Sequence, residues 1–285
     1  MIVVTGATGQ LGRLVIEQLL ARVPAEQIVA AVRSPEKATD LSAKGVQVRH
    51  ADYSQPATLD SAFAGADKVL LISSSEIGQR FSQHKAVIDA AKRSGVKLLA
   101  YTSVLHAEAS TLGLAKEHVE TEAYLRASGL PFALLRNGWY TENYTAGVPG
   151  ALAHGAVMGC ADDGRISSAS RLDYAEAAAV LLTSGEDQSG RVYELAGDES
   201  YTLAEFAAEL SKQAGKTLPY VNLTQAEFEA ALIQAGLPDF VARLLADSDA
   251  AAAKGALFDD SRQLSKLIGR PATPLSATIA ETLRG

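Results

Sequence analysis

Three glycines near the start of the chain have the spacing of a phosphate-binding turn. Gly6, Gly9 and Gly12 form a GxxGxxG pattern between a short β-branched run and a stretch with helical spacing. In such a strand–turn–helix unit the first glycine permits a tight turn and the second lets a pyrophosphate reach backbone N–H groups. The third allows the helix to pack close to the sheet. The pattern predicts a dinucleotide site; the alternative is a tight turn that binds nothing.

A basic residue at the end of the second predicted strand bears on which dinucleotide is preferred. Arg33 stands where NAD-selective folds carry an acidic residue for the ribose 2′-hydroxyl. A guanidinium forms bidentate pairs with phosphate, and Ser34 or Lys37 would add a donor. We therefore expect NADPH to be preferred over NADH. The alternative is a surface arginine without a ligand.

The elements that must position these residues alternate between strands and helices up to about residue 136. Short apolar runs are each followed by a longer stretch with helical spacing, which is typical of a parallel sheet with crossover helices. We predict an α/β fold, a Rossmann-type doubly wound parallel sheet with a smaller, mainly helical C-terminal lobe. The predicted strands are residues 2–4, 28–32, 46–48, 69–72, 98–101 and 132–135.

The pattern after residue 136 predicts a second, discontinuous domain. Residues 1–136 are predicted to form the dinucleotide-binding domain, rejoined by parts of 165–197, where a helix (172–183) and a strand (191–195) are expected. Residues 137–164 and 198–285 are predicted to form the substrate-binding lobe. Capping boxes at Thr202/Glu205 and Thr224/Glu227 predict two helix starts. Loops are expected at residues 148–150 and 250–253.

Composition excludes several classes of protein. The 285 residues carry a net charge of −7 and no extended basic run, so a nucleic-acid partner is not expected. A single cysteine and five histidines without HxxxH or HxH spacing predict no metal site and no disulfide framework. No apolar run is long enough to span a bilayer, so we expect no membrane insertion and a cytoplasmic location. The oligomeric state is left open.

Motifs along nearly the whole chain resemble the NmrA-like branch of the atypical short-chain dehydrogenases. Within that branch, residues 72–80 and 134–143 are most similar to the bacterial NADPH:quinone oxidoreductases of type 2, which are flavin-free. The other segments that carry the resemblance are residues 6–12, 51–53, 59, 65–67, 69, 260–262, 267–269 and 271.

The resemblance implies NADPH as the cofactor and places its contacts. The phosphates would contact Gly6, Ala7, Thr8, Gly9, Gln10, Leu11 and Gly12. The ribose would contact Arg33 and the adenine side Asp52, while backbone contacts would come from Ser73, Ser74 and Ser75. The nicotinamide would be bordered by Asn137, Gly138, Trp139, Tyr140, Thr141 and Glu142. For Asp52 the alternative is a turn or N-cap before the next helix.

The end of the sixth predicted strand indicates where a quinone would bind. The residues that follow it leave the sheet at the same edge as residues 6–12 and 73–75. Trp139, Tyr140 and Asn143 are candidates for the quinone pocket, because aromatic rings stack on planar ligands and an amide donates to a carbonyl. Ordinary packing of the only tryptophan is the alternative.

A tyrosine used by related dehydrogenases is absent. Enzymes that act on alcohols use a Tyr-x-x-x-Lys helix, because a phenol with a lowered pKa must protonate the developing alkoxide. Here Leu112 and Lys116 occupy those positions, so Lys116 is expected to be a solvated helix residue. His118 and Glu122, four residues apart, are expected to form a pair on the helix surface, with a proton relay as the alternative.

The resemblance implies NADPH-dependent, flavin-free reduction of quinones by direct hydride transfer. A hydroquinone anion is far less basic than an alkoxide, so the missing tyrosine is tolerated and no catalytic side chain is assigned. The alternative is a regulatory protein that senses NADP(H) without turnover, which the glycine turn fits equally well. A sugar-nucleotide epimerase is disfavoured by Leu112.

Overall fold

The computed structural model describes residues 1–285. The strands are β1 Ile2–Thr5, β2 Ile28–Val32, β3 Gln47–His50, β4 Lys68–Leu71, β5 Leu98–Val104, β6 Phe132–Asn137, β7 Val157–Gly159, β8 Arg191–Leu195 and β9 Tyr220–Asn222. The helices are α1 Gln10–Leu20, α2 Thr39–Ala43, α3 Pro56–Ala62, α4 Arg80–Arg93, α5 Ala115–Ala127, α6 Thr141–Thr145, α7 Val148–His154, α8 Arg171–Thr183, α9 Leu203–Ala214, α10 Gln225–Gln234, α11 Asp239–Ala252, α12 Gln263–Ile268 and α13 Leu275–Arg284.

The main sheet has seven strands in the order β3-β2-β1-β4-β5-β6-β8. The pairings from β3 across to β6 are parallel. Strands β1, β2 and β5 are buried along their whole length, as expected for strands covered by helices on both faces. The order reverses direction between β1 and β4, which is the place where doubly wound sheets bind ligands. The predicted fold class is therefore confirmed.

Helix α1 is amphipathic and covers one face of the sheet. Its buried residues are Leu11, Gly12, Val15, Ile16 and Leu19. The largest fully buried side chains include Tyr101, Phe63 and several leucines and isoleucines of the sheet and its helices. Burial of such side chains from water is the main source of stability for a fold of this kind.

The chain divides into two compact units, each built from several segments. The first comprises residues 1–107, 116–137 and 171–193, and the second comprises residues 108–115, 138–170 and 194–285. The first holds most of the parallel sheet and helices α1 to α5 and α8. The second is mainly helical and contains a two-stranded parallel sheet of β7 and β9. That the second unit binds substrate stays a prediction.

Several local predictions are confirmed and two are wrong. Both capping boxes are formed, at the starts of α9 and α10. The loop expected at residues 148–150 is instead the first turn of α7, because Pro149 sits where a missing N–H costs nothing. The loop expected at residues 250–253 is mostly the end of α11, because alanine has the highest helix propensity. No helix combines the length and apolarity that crossing a membrane requires.

Candidate cofactor site

The glycine turn after β1 has the geometry that its sequence predicts. Gly6 adopts a φ of +60°, a region that side chains disfavour, and the N–H of Gly9 donates to the Gly6 carbonyl at 2.9 Å. A methyl group on Gly12 would overlap the Gly6 carbonyl oxygen and lie 2.7 Å from Ala7 Cα. The first and third glycines are thus required by the backbone itself, before any ligand is considered.

The start of helix α1 fits a phosphate group. No side chain caps it at Gly9, and its first turn contains no acidic residue. The N-terminal N–H groups of an eleven-residue helix therefore keep their donors and the positive end of the helix dipole for an anion. Together with the glycine turn, this arrangement fits the pyrophosphate of a dinucleotide.

Tyr53 joins the glycine turn to the loop after β4. Its hydroxyl lies 2.5 Å from Thr5 Oγ1 and 2.9 Å from the Ile72 carbonyl oxygen. A Cβ on Gly6 would lie 3.7 Å from the Cβ of Ile72, so the two loops are in contact. Burial raises the pKa of the Tyr53 phenol above its ordinary value. The phenol therefore stays neutral, and its two contacts connect the end of β1 to the loop after β4.

The backbone of the loop after β4 is held by side chains beneath it. The N–H of Ser73 donates to Thr102 Oγ1 and that of Ser74 donates to His84 Nε2, each at 2.9 Å. Arg80 Nε donates to the Ser74 carbonyl at 2.7 Å. The N–H groups of Ser73 and Ser74 thus already donate within the protein and are not available to a cofactor in this conformation. The backbone contacts expected from residues 73–75 stay a prediction.

His84 is fixed in one neutral tautomer. Thr121 Oγ1 donates its only proton to the Glu117 carbonyl at 2.7 Å, so it must accept from the Nδ1–H of His84 at 3.0 Å. Nε2 is then free of hydrogen and accepts from Ser74. Burial, with the nearby charge of Arg80, lowers the pKa of His84 to about 3. The imidazole therefore stays neutral and orients the loop.

Asp52 forms a local turn. Its Oδ1 accepts from the N–H and the hydroxyl of Ser54 at 2.9 and 2.7 Å, and its Oδ2 accepts from Gln55 Nε2 at 3.0 Å. The hydroxyl of Ser54 is the main cause of the lowered pKa of Asp52. This is the turn that the alternative interpretation expected, although α3 itself begins without a side-chain cap. Contact of Asp52 with adenine stays a prediction.

Helix α5 corrects one expectation and agrees with another. Lys116 is exposed, as expected, and Leu112 precedes the helix. The expected surface pair of His118 and Glu122 is wrong, because both side chains are buried. His118 Nδ1 lies 2.7 Å from the hydroxyl of Tyr101. Burial lowers the pKa of His118 and raises that of Tyr101, so neither is tuned to transfer a proton near neutral pH.

Glu122 instead forms a buried ion pair. It accepts from Arg136 Nε at 2.9 Å and from Arg136 Nη2 at 2.5 Å, and from the hydroxyl of Ser103 at 2.6 Å. The pair connects α5 to the ends of β5 and β6. Removing one partner of such a pair leaves an uncompensated buried charge, which is strongly destabilising. The function of Glu122 in the first unit is therefore structural.

Asn137, the last residue of β6, has an unsatisfied acceptor. The residue is 6% exposed, and its Oδ1 is buried without a hydrogen-bond partner. A buried acceptor without a donor costs stability unless a ligand supplies one. The carboxamide N–H₂ of nicotinamide is a donor of the required kind, so the orphaned oxygen fits the expectation for Asn137.

The segment after Asn137 belongs to the second unit and is held by its neighbours there. The N–H of Gly138 donates to the Leu195 carbonyl at 2.7 Å, and that of Thr141 donates to the Ala169 carbonyl at 2.9 Å. Trp139, Tyr140 and Asn143 are half-buried. The segment thus has a fixed backbone, and the contacts of these three side chains with a quinone stay a prediction.

A buried carboxyl group lies further along the same unit. Asp249 Oδ1 accepts from the hydroxyl of Tyr144 at 3.1 Å, and Oδ2 accepts from the N–H of Cys160 at 3.1 Å. Burial raises the pKa of Asp249 to about 6 and that of the Cys160 thiol to about 12. The thiol is therefore protonated at neutral pH, as is typical of a buried structural cysteine.

Sequence reasoning missed the residues that support the loops. Tyr53 lies in a motif of the family resemblance that assigns it no role, and no motif points to His84 or Thr121. These residues are separated along the chain by tens of positions and meet only in the folded protein, so no local spacing reveals them. The sequence gives only an indirect indication of His84 and Thr121, because each is a polar residue at an apolar position of a predicted helix.

Comparisons with known proteins agree with the cofactor site. The NAD(P)H-binding family matches residues 6–185. Quinone oxidoreductase 2 of Escherichia coli (strain K12) is 58% identical over 280 residues, 98% of each chain. The NADPH-dependent quinone oxidoreductase from E. coli, solved in complex with NADPH, superimposes with a TM-score of 0.97 at 57% identity and covers 99% of this chain and 100% of that chain. Triphenylmethane reductase of Citrobacter sp., solved with NADP(H), has a TM-score of 0.96 at 40% identity, with 99% and 100% coverage.

Proposed function

The chain belongs to the NmrA-like NAD(P)H-binding family, and from this premise we propose that it reduces quinones with NADPH by direct hydride transfer, without a flavin. The observation that carries this proposal is the match to the E. coli quinone oxidoreductase 2 along almost the entire length of both chains. The glycine turn and the uncapped start of α1, which fit a pyrophosphate, support the proposal.

We assign the contacts with the pyrophosphate, the 2′-phosphate and the carboxamide to residues of the first unit. Gly6 to Gly12 would bind the pyrophosphate, and Arg33 the 2′-phosphate, which a guanidinium recognises by charge and by paired donors. Asn137 would accept from the carboxamide through its orphaned Oδ1. Bound NADPH supplies the hydride. The protein's part is to hold these groups in place, which converts an encounter in solution into an oriented reaction.

We assign the quinone to Trp139, Tyr140 and Asn143. Two aromatic rings favour a flat, conjugated substrate by stacking, and the amide of Asn143 is able to donate to a quinone carbonyl. All three are half-buried on a backbone fixed by hydrogen bonds, so part of each side chain is accessible. The substrate class is thus a small planar quinone.

Five of the nine tyrosines have a pKa above the ordinary value, which is compatible with a mechanism without a tuned general acid. Burial raises the pKa of Tyr53, Tyr101, Tyr144 and Tyr201, and that of Tyr220 rises to about 12. None resembles the lowered phenol that alcohol dehydrogenation needs. One hydride and one solvent proton convert a quinone to a hydroquinone, and the anion formed first is weakly basic, so water completes the reaction.

The test is NADPH oxidation by a panel of small quinones with protein freed of flavin. We expect loss of NADPH absorbance and formation of one hydroquinone per NADPH consumed. Samples without protein and samples with added flavin serve as controls, because a flavoenzyme would depend on the added group. Tight NADPH binding without oxidation by any quinone would overturn the proposal and favour the NADP(H) sensor.

A further inference from the structure

Arg33, the residue assigned to the 2′-phosphate, already has an anionic partner in the protein. Its Nη1 donates to Glu76 Oε1 at 2.8 Å. The two side chains are 69% and 47% exposed, so the pair lies in solvent, where an incoming ligand has access. The partner comes from the loop after β4, whereas Arg33 follows β2.

Glu76 is held in this position by a second contact. Its other oxygen, Oε2, accepts from Gln83 Nε2 at 2.8 Å. Gln83 is 8% exposed, and its Oε1 accepts from the hydroxyl of Ser74. The N–H of Glu76 donates to the same hydroxyl at 3.1 Å. A buried amide and a serine therefore keep the carboxylate beside Arg33, so the pair is more than a chance contact of two long surface side chains.

We propose that Glu76 is a determinant of cofactor specificity, which competes with the 2′-phosphate for Arg33 and so limits the preference for NADPH over NADH. This inference rests on the proposed function only in taking NADPH as the cofactor. The 2′-phosphate carries up to two negative charges and needs the same guanidinium donors. Its arrival must therefore displace the carboxylate from the guanidinium. NADH carries a neutral hydroxyl at this position, which does not compete with Glu76 for Arg33.

The size of the effect follows from the exposure of the pair. Ion pairs in solvent are weak and are screened by salt, so the carboxylate does not block the site but reduces affinity. We expect Glu76→Gln to lower the Kd for NADPH roughly two- to fivefold and to leave that for NADH unchanged. Glutamine has the same shape and keeps an acceptor for Gln83, so the loop should retain its conformation.

The experiment measures Kd by titration calorimetry for both cofactors, without quinone. Glu36→Gln is the matched control, because Glu36 is an exposed acid near Arg33 in the chain that does not pair with it. It should leave the ratio of the two Kd values unchanged. In an Arg33→Ala background the effect of Glu76→Gln should vanish, since the competition is for Arg33. Raising the salt concentration should shrink the gain.

Three outcomes would overturn the inference: an unchanged NADPH Kd in Glu76→Gln, an equal change for NADH, or a gain that persists without Arg33. The first would show that the pair does not compete, and the second that the loop has merely been altered. The third would indicate general charge repulsion. Quinone turnover is measured separately. Its absence with the expected pattern of Kd values would refute the proposed function alone.

Discussion

At the scale of single residues, the chemistry of the site depends on a few side chains with clear physical roles. The backbone requires Gly6 and Gly12, whereas Arg33 and Asn137 offer a donor and an acceptor that a dinucleotide can satisfy. The conformations of the glycines could be predicted from sequence because they belong to a local pattern, whereas the role of Arg33 stays a prediction. Asn137 was predicted from resemblance, and only the fold reveals that its oxygen is unsatisfied.

Replacing Arg33 should change the choice of cofactor. Arg33→Ala should raise the Kd for NADPH about tenfold or more and change that for NADH by less than about twofold, because only NADPH carries the group that the guanidinium binds. Titration calorimetry with both cofactors measures this. Equal affinities of the unmodified protein for NADPH and NADH would contradict the role of Arg33.

The quinone assignment is tested by two substitutions. Tyr140→Ala and Asn143→Ala should each lower kcat/KM for quinone by about tenfold, through lost stacking and a lost hydrogen bond. The Kd for NADPH should stay within about threefold, because the assigned phosphate contacts are on other residues. Steady-state kinetics and circular dichroism are the measurements. Unchanged quinone kinetics in two well-folded variants would exclude this segment as the pocket.

At the scale of elements, α4 and α5 hold the loop after β4 in place. Glu117 of α5 accepts from the N–H groups of Gly78 and Arg80, each at 3.1 Å, and so caps the start of α4. His84 and Thr121 then connect the two helices to Ser74. The alternation of strands and helices predicts a helix in each of these two stretches. Their polar contacts are not predicted, because each joins residues distant in sequence.

Strand β5 shows where prediction from sequence ends. Its apolar run indicated residues 98–101, but the strand extends through Val104. The additional residues include Thr102 and Ser103, which are polar and so lie outside the apolar run. In the fold their hydroxyls are buried and paired with Ser73 and Glu122. Polar residues can thus continue a buried strand when their hydrogen bonds are satisfied.

Helix α5 carries the remnant of the missing catalytic dyad, and that remnant should be dispensable. Lys116→Ala should retain more than about half of kcat, because the lysine is exposed and has no tyrosine whose pKa it would lower. Single-turnover and steady-state rates with one quinone provide the measurement. A decrease of about 10²–10⁴-fold, typical of removing a general acid or its partner, would require a different mechanism.

At the scale of the whole molecule, buried histidines link stability to pH. The pKa of His84 is about 3 in the folded protein and near 6.5 when unfolded. Between pH 3 and pH 6.5 the histidine is protonated in the unfolded chain but neutral in the folded protein. The contribution of the neutral His84 to stability is therefore complete above pH 6.5 and decreases as the pH falls below that value. His118 acts in the same direction. The carboxyl of Asp249 acts in the opposite direction, because its pKa is raised to about 6.

Replacing His84 should reduce this acid sensitivity. In the unmodified protein, the titration of His84 alone should lower the free energy of unfolding by about 2 kcal/mol as the pH falls from 7 to 5. His84→Gln should be less stable at pH 7 but should lose less on acidification, since glutamine does not titrate. Urea unfolding at both pH values measures the difference. The same acid sensitivity in both proteins would place the titrating group elsewhere.

The discontinuous first unit also has a consequence for synthesis of the chain. Strand β6 pairs with β5 on one side, but its other neighbour, β8, begins only at Arg191. At roughly 5–20 residues per second, a ribosome needs about 3–11 s to make the roughly fifty residues between them. During that interval the nascent sheet has an open, apolar edge, which is prone to pairing with another chain. The growing polypeptide therefore has a defined window in which chaperone protection matters most.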